Sequence, residues 1–373
     1  LGSAVAAIVG CLFSNSRFIT LGPTNATSVL LFGVFASLGL INQDGMCSER
    51  AIELLPWILF VSGAFLIMAA LLRISFMIQF VSRTVIPAYV TAAAALIIAN
   101  QAKHVLGLEL DSNDSIATFW QIIFATVRAL AEFSTSALLI SGFTAISYIL
   151  LQYKLKTLPN VAITLLLASI VNYILKDSIG NVHTLAHFDS SLSILPSIHF
   201  NTLENFSGTI LSASMAIALL CLLEGLSIGK SLAARAGERI QTNQETFAIG
   251  MGNIGCSLLS GMPASGSLTR SSLNIQSGAK TSASNLFAGI FVIIGYFSLG
   301  GLVQFIPVPA LATLVIFIGA SLIKARQIQA VSRATRSDAV TFTVTLVVGL
   351  IFSLQMAIFA GVVTSILLFL RKV

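Results

Sequence analysis

Two segments of the sequence place small and hydroxyl-bearing residues inside an otherwise apolar chain, in a pattern that could bind an anion. They are residues 19–28 and residues 260–271, one in each half of the chain. In the first, extended backbone is expected before Pro23, and Pro23 itself suits the first position of a helix. The second likewise opens a short helix after a run of Gly, Ser and Pro. The pattern therefore predicts two short helices with polar N-termini.

A helix that begins within a membrane directs unpaired N–H groups and the positive end of its dipole toward whatever lies there. Non-helical backbone at that depth is tolerated where it is buried in protein or lines a cavity. Two such helix starts in corresponding halves of a chain indicate a transport site near the midplane, and its natural ligand is an anion. The alternative is that both segments are interfacial loops or packing notches, in which small residues let helices approach closely.

Two ionisable residues near these segments could add charge to the site. Arg270 lies one turn into the second short helix, where a full positive charge would reinforce the dipole. Glu224 is an acid inside a clearly apolar span, and a carboxyl group balanced between desolvation and a nearby positive charge could load and release a proton. A snorkelling Arg270, an interfacial Glu224 and a purely structural ion pair between the two are open alternatives.

The sequence offers little support for other chemistry. His183 and His187 have the spacing of metal ligands, but their polar loop supplies no obvious third ligand. The sequence contains no Walker A motif, no paired carboxylates with a positioned partner and no Ser–His arrangement within a span. We therefore expect no enzyme activity, no cofactor and no bound metal.

Membrane helices must position these residues. Of the 373 residues, 56% are hydrophobic and 9% are charged, and the mean hydropathy is +0.95. Soluble domains average roughly a quarter charged residues, so a soluble fold is excluded. A helix needs about 20 apolar residues to cross the hydrocarbon core. Such stretches predict an all-α polytopic bundle with spans near 1–13, 24–41, 55–72, 85–101, 134–153, 159–175, 206–229, 244–260, 283–305, 307–323, 338–353 and 355–370, and shorter apolar pieces near 116–131 and 267–277.

The distribution of charge predicts the orientation of the bundle. Alternating sides backwards from the C-terminus groups most of the basic residues on one side: Arg17, Arg73, Arg83, Lys154, Lys156, Lys230, Arg235, Arg239, Lys324, Arg326, Arg333 and Arg336, with Arg371 and Lys372. Most acids fall on the opposite side: Asp44, Glu49, Glu53, Glu109, Asp111, Asp114, Glu132, Asp177, Asp189 and Glu204. Positive charge is retained in the cytoplasm, so the basic side and the C-terminus are predicted to be cytoplasmic. The net charge of +6 is interpreted as this topology signal and not as a nucleic-acid-binding patch.

Several motifs resemble the sulfate permease (SulP) family of anion transporters. They are Leu223-Glu224-Gly225-Leu226-Ser227-Ile228-Gly229-Lys230-Ser231-Leu232-Ala233, Gln244-Glu245, Gly252-Asn253, Ser267-Leu268-Thr269-Arg270-Ser271 and Asn274-Ile275-Gln276-Ser277-Gly278-Ala279-Lys280-Thr281. Gly22-Pro23-Thr24 is similar to the third-helix motif of that family. The resemblance covers essentially the whole chain, and it is most specific between Glu224 and Thr281.

The resemblance implies a fold of fourteen segments in two inverted repeats of seven, divided into core and gate domains. On this reading residues 1–13 form the second helix, Gly22–Leu40 the third, Phe206–Gly229 the eighth and Thr269–Ser277 the tenth. The first helix and the cytoplasmic STAS domain of the family are then missing from this chain. The implied domains are 1–80 (core, segments 2–4), 81–202 (gate, segments 5–7), 203–304 (core, segments 8–11) and 305–373 (gate, segments 12–14).

The resemblance also implies a site and a mechanism. Carried over residue by residue, the substrate-binding site falls on Thr24, Gly266, Ser267, Leu268, Thr269 and Arg270, several of them contributing backbone N–H groups, and Glu224 matches the acid of proton coupling. In sodium-coupled members that acid is typically Asp followed one turn later by Thr, whereas here Ile228 follows, which argues against sodium. The expected function is proton-coupled uptake of sulfate or a similar oxyanion by an elevator motion of the core against the gate.

Two alternatives to this function stay open. One is a chloride/bicarbonate exchanger or facilitative anion pathway, in which Glu224 only balances Arg270. The other is a non-transporting motor or interaction module, as resemblance to prestin permits. The expected partners are an inorganic anion (sulfate, bicarbonate or chloride), protons, the lipid bilayer and a second copy in a homodimer, but no nucleic acid. The expected location is a bacterial inner membrane. Without the first helix and the STAS domain, the chain as given is not expected to be fully transport-competent.

Overall fold

Helices dominate the fold in the computed structural model, which describes residues 1–41, 47–73, 84–108, 118–154, 160–179, 182–185, 200–325, 328–329, 331 and 335–371. The helices of this part are α1 (Gly2–Phe13), α2 (Asn25–Ser37), α3 (Glu49–Leu71), α4 (Val85–Leu106), α5 (Phe119–Arg128), α6 (Thr135–Lys154), α7 (Asn160–Ile179), α8 (Phe200–Ala236), α9 (Thr242–Ser257), α10 (Leu268–Gln276), α11 (Ala283–Leu299), α12 (Val308–Leu322), α13 (Arg336–Ile351) and α14 (Leu354–Leu370). Two short strands, β1 (Leu21–Pro23) and β2 (Ala264–Gly266), interrupt them. Short 3-10 turns follow α5 and α11.

The described helices confirm the predicted class of polytopic α-helical membrane protein. Four stretches are long and apolar enough to cross a membrane: Glu49–Leu71, Val85–Leu106, Thr135–Lys154 and Gly208–Ala234. Shorter apolar helices cover most of the other predicted spans. The predicted short pieces near 116–131 and 267–277 correspond to α5 and α10.

One helix start differs from its prediction. Pro23 does not open a helix: it is the last residue of β1, Thr24 is the N-cap, and α2 begins at Asn25. The reason lies across the chain, because Pro23 pairs with Ala264 in an antiparallel ladder. The pairing holds the backbone extended for two residues longer than the local sequence suggests.

The chain divides into two compact units. The first comprises Leu1–Tyr89, Ser193–Tyr296 and Gln327–Val373. Within it α3 packs along α8 and α9, and α1 packs against α9. At Gly63 on α3 and Gly250 on α9 an added Cβ would lie within about 3.0 Å of the backbone oxygen of the facing glycine. These glycines therefore allow α3 and α9 to approach closely.

The second unit comprises Val90–Leu192 and Phe297–Arg326. Its helices α6, α7 and α12 pack together around Ile140, Ala168 and Ala310. The core and gate boundaries inferred from the sequence concern which parts move together, and they stay a prediction.

Some residues used for the orientation argument lie outside the described residues. They are Asp44, Arg83, Glu109, Asp111, Asp114, Lys156, Asp189, Arg326, Arg333 and Lys372, and His187 of the histidine pair is also outside. The cytoplasmic placement of the basic side likewise stays a prediction.

Candidate functional site

The two polar segments meet at the pair of strands. β1 and β2 run antiparallel, with Leu21 opposite Gly266, Gly22 opposite Ser265 and Pro23 opposite Ala264. Each strand leads directly into a short helix, β1 into α2 and β2 into α10. The pairing therefore brings two helix N-termini from opposite halves of the chain side by side.

The first helix start is held by reciprocal capping. The backbone N–H of Thr27 donates to Thr24 Oγ1 at 3.3 Å, and the backbone N–H of Thr24 donates to Thr27 Oγ1 at 3.1 Å. Thr27 Oγ1 also donates to Pro263 O at 3.1 Å, and Tyr89 Oη donates to Ala26 O at 2.8 Å. The bond to Pro263 O fixes the first turn of α2 to the segment before β2, and the bond from Tyr89 fixes it to α4.

The second helix start has a simpler cap. Ser267 is the N-cap, and its side chain accepts from the backbone N–H of Arg270 at 3.4 Å. The backbone N–H of Ser267 donates to Thr20 O at 3.3 Å, so this group is already used within the protein. The start of α10 is thus tied to the chain that leads into β1.

The caps leave a defined set of N–H groups for a ligand. The first turn of a helix contains donors without intrahelical acceptors, and each cap here satisfies only the later ones. Among the described residues, the donors left over are the first two of each helix, on Asn25 and Ala26 in α2 and on Leu268 and Thr269 in α10. Together with two positive dipole ends, they make this place a candidate site for an anion.

Arg270 adds a full charge to this site. Its Nη1 donates to Pro23 O at 3.0 Å, which bridges the two segments, while Nε and Nη2 are buried without a hydrogen-bond partner among the described residues. A Cβ added at Gly22 would lie 3.0 Å from Nη2 and 3.2 Å from Ser3 Oγ. The absence of a side chain at Gly22 therefore leaves room for the guanidinium group. Buried unsatisfied donors are costly, and an anion would satisfy them.

Glu224 faces the first helix start from α8. Thr24 Oγ1 donates to Glu224 Oε2 at 2.9 Å, and the carboxyl group is half-buried. Within the described part of the chain the ion pair that forms is Arg17 with Glu238, at 2.6 Å, so Glu224 and Arg270 do not pair directly. The structure therefore does not form the structural ion pair that the sequence left open as an alternative.

The residues inferred from the sequence thus lie in different positions. The side chains of Thr24, Glu224 and Arg270 lie at or beside the two helix starts, and Ser267 acts as a cap. Gly266 lies within β2, where an added Cβ would come within 2.9 Å of the Cα of Gly225. The side chains of Leu268 and Thr269 are exposed, and both residues carry N–H groups of the first turn of α10.

Sequence reasoning missed the N–H groups of Asn25 and Ala26 as candidate donors, and it missed the position of Ser3 beside Gly22. The N–H groups of Asn25 and Ala26 were missed because the local sequence places the helix start at Pro23. The capping pattern of Thr24 and Thr27 would have indicated the later start. Nothing in the local sequence marks Ser3. Among the described residues there is no cluster of three or more His, Cys, Asp or Glu side chains that could hold a metal.

Two half-helices that meet N-terminus to N-terminus inside a polytopic helical bundle define a class of protein, the secondary transporters with discontinuous helices. The particular family follows from comparison. Residues 1–345 match the sulfate permease family, and the chain belongs to that family.

Curated relatives and solved structures agree with this assignment. The chain is 26% identical over 367 residues to sulfate transporter 4.1, chloroplastic, of Arabidopsis thaliana, covering 96% of this chain and 52% of the relative. It is 25% identical over 379 residues to human solute carrier family 26 member 6, covering 96% and 49%. The chain therefore spans about half the length of these relatives.

Two solved structures share the fold. The transmembrane domain of the cyanobacterial bicarbonate transporter BicA superposes with a TM-score of 0.76 and 18% identity, covering 99% of this chain and 88% of that one. Murine Slc26a9, an anion transporter in an inward-facing state, superposes with a TM-score of 0.82 and 15% identity, covering 99% and 63%. The relatives are named as transporters, in agreement with the expectation that the chain is not an enzyme.

Proposed function

We propose that this chain is the membrane domain of a secondary active anion transporter that takes up sulfate or a similar oxyanion together with protons. The observation that carries the proposal is Arg270, which lies at the junction of the two helix starts with Nε and Nη2 buried and unpartnered among the residues that the structure describes. A tetrahedral or planar oxyanion offers several acceptor oxygens for these donors and for the four unpaired N–H groups. The names of the plant relatives support sulfate as the first anion to test.

Thr24 provides a route by which proton and anion binding are coupled. Its single hydroxyl proton is donated to Glu224 when that carboxylate is charged. When Glu224 is protonated, the acid can donate to Thr24 Oγ1 instead, and the hydroxyl proton of Thr24 is released for an anion oxygen. Protonation also removes a negative charge that would repel the anion. Both effects favour simultaneous binding of one proton and one anion.

The movement that follows binding is an elevator motion of the core domain against the gate domain. With Glu224 neutral, the anion-loaded site carries one negative charge fewer than it would with the anion bound beside a charged Glu224. Moving a charge through the low-dielectric membrane is expensive, so the doubly loaded site moves more readily. Sodium has no role in this scheme, since Ile228 stands one turn after Glu224.

Radiolabelled sulfate uptake into proteoliposomes tests this function, with the full-length parent protein and with or without an inward proton gradient. The proposal expects accumulation that the gradient stimulates, and it expects Glu224→Gln to abolish that stimulation. Sulfate flux that is indifferent to the gradient would contradict symport and favour exchange. Absence of sulfate flux, with flux of bicarbonate or chloride instead, would contradict the substrate and leave the binding site in place.

A further inference from the structure

The buried side-chain amide of Asn285, on α11, makes three hydrogen bonds to residues next to the paired strands β1 and β2. The side chain of Asn285 is 3% exposed. Its Oδ1 accepts from Thr20 Oγ1 at 2.9 Å and from Asn274 Nδ2 at 3.3 Å, and its Nδ2 donates to Ile19 O at 3.2 Å. A single side chain therefore contacts both the chain that enters β1 and the helix that leaves β2.

These contacts reach the neighbours of Arg270. The backbone N–H of Thr20 donates to Ser271 Oγ at 2.9 Å, and Ser271, next to Arg270, is fully buried. Asn274 follows Arg270 by four residues, so the two side chains lie on the same face of α10. Asn285 thus holds α10 directly at Asn274 and, through Thr20, at Ser271, and both residues lie within four positions after Arg270.

Such an arrangement constrains rotation of α10 about its own axis. The short helix has nine residues, and exposed side chains at Leu268, Thr269 and Leu273 give it little burial to fix its orientation. Directional hydrogen bonds to Ser271 and Asn274 supply the orientation that apolar packing does not. A fully satisfied buried polar network specifies one geometry more strictly than apolar contacts do.

A second buried amide does a comparable task for the other strand. Asn253 on α9 is fully buried, and its Nδ2 donates to Ala264 O at 2.8 Å while its Oδ1 accepts from the N–H of Ala264 at 3.0 Å. Its amide pairs with β2 in the way that a third strand would. The two asparagines therefore bond to different parts of the strand pair, Asn253 to β2 and Asn285 to the residues that lead into β1.

We propose that Asn285 is a positioning residue for the anion site. It fixes the orientation of α10 and thereby the position of the Arg270 guanidinium group. The inference rests on the proposed function only in taking Arg270 as the anion-binding group. An Asn285→Ala variant would leave Thr20 Oγ1 and Ile19 O without their partner and would allow α10 to turn. Arg270 would then lose its fixed relation to Pro23 O and to the helix N-termini.

The test combines anion affinity with the chemical reactivity of Arg270. Dissociation constants for sulfate, bicarbonate and chloride are measured by calorimetry on the purified protein, and the rate at which phenylglyoxal modifies Arg270 is measured by peptide mass spectrometry. Ser62→Ala is the matched control, because it removes a buried hydroxyl on α3 that lies within hydrogen-bond distance of Ile58 O in the same helix and of Ser214 O on α8. Thr20→Val removes one of the hydrogen bonds of Asn285, the one from Thr20 Oγ1 to Asn285 Oδ1, with little change of side-chain shape.

Asn285→Ala and Thr20→Val are expected to weaken binding of the favoured anion by about tenfold, the size expected when one or two buried hydrogen bonds are lost. Both are expected to change the Arg270 modification rate severalfold, whereas Ser62→Ala leaves affinity and rate at the wild-type values. In an Arg270→Lys background, Asn285→Ala should change affinity by less than about twofold, since coupled residues are not additive.

Unchanged affinity and an unchanged modification rate in Asn285→Ala and Thr20→Val would overturn the positioning role. Equal losses of affinity in the wild-type and Arg270→Lys backgrounds would also overturn it, since the effect would then not pass through Arg270. If the wild-type protein bound none of the three anions, the proposed function would fail, and the modification rate of Arg270 would decide the positioning role by itself.

Discussion

The starts of α2 and α10 share one backbone design and differ in the chemistry of their side chains. Each follows a three-residue strand, and each has a hydroxyl-bearing N-cap, Thr24 or Ser267. Thr24 donates its hydroxyl to the acid Glu224, whereas the first turn of α10 carries the base Arg270. The two starts thus present similar dipoles but opposite ionisable partners.

The difference indicates a division of roles. Helix dipoles and unpaired N–H groups at both starts attract an anion without distinguishing the two halves of the chain. The first start, through Thr24, connects the site to a group that can gain or lose a proton. The second start, through Arg270, supplies a permanent positive charge. Substitutions at the two starts should therefore produce distinguishable defects.

The largest effect is expected from Arg270→Ala. Removing one partner of a buried charged interaction costs about 2–5 kcal/mol, which weakens anion binding by about 30-fold to several thousandfold. Calorimetric titration with sulfate measures the loss. Arg270→Lys is the control and should retain part of the affinity, because it keeps the charge but not the planar fork. If Arg270→Ala bound sulfate with wild-type affinity, the start of α10 would not be part of the anion site through Arg270.

A smaller effect is expected from Gly22→Ala. The new Cβ would lie 3.0 Å from Arg270 Nη2, at a backbone φ of 156° that favours glycine, so the guanidinium must move. Overpacking of this kind costs about 1–3 kcal/mol, and we expect losses of stability and of sulfate affinity. Gly33→Ala in α2 is the control, because its Cβ would meet no atom of the other described residues within 4 Å, apart from its chain neighbours and the adjacent backbone of α2. If the two variants had similar unfolding temperatures and similar sulfate affinities, the close approach of Arg270 to β1 would be contradicted.

The smallest effect on affinity is expected from Thr24→Val. Loss of the cap costs about 0.5–2 kcal/mol of stability, and loss of the hydroxyl removes one donor to the anion. The more informative change is a weaker dependence of sulfate affinity on pH, since protonation of Glu224 no longer releases a donor. Thr24→Ser keeps both hydrogen bonds and should behave like the wild type. Sulfate titrations at several pH values measure the affinity of both variants. If affinity depended on pH equally in Thr24→Val and Thr24→Ser, Thr24 would have no part in coupling proton and anion binding.

Much of this site could be predicted from local sequence. Apolar lengths indicate the helices, and runs of Gly, Pro, Ser and Thr indicate where they are broken. Arg270 and Glu224 stand out because charge is rare and costly in a membrane. These signals depend only on residues close together in the chain, which is why they could be interpreted without a structure.

Long-range contacts account for what the sequence did not show. The register that places Pro23 opposite Ala264 delays the start of α2 to Asn25. The placement of Ser3 beside Gly22 and of Asn285 beside Thr20 likewise joins distant parts of the chain. The separation of Glu224 from Arg270 depends on how α8 packs against both starts. Local periodicity carries no information on any of these contacts.

The most direct test of the account is the pH dependence of sulfate affinity in the wild type and in Glu224→Gln. Because a neutral Glu224 favours the anion, wild-type affinity should fall as pH rises through the titration of this group, by at most about tenfold per pH unit for a single linked proton. Glu224→Gln keeps a neutral side chain that can donate to Thr24 Oγ1, so it should bind sulfate tightly at every pH. An equal decline of sulfate affinity with rising pH in both proteins would contradict the coupling of proton and anion binding at the two helix starts.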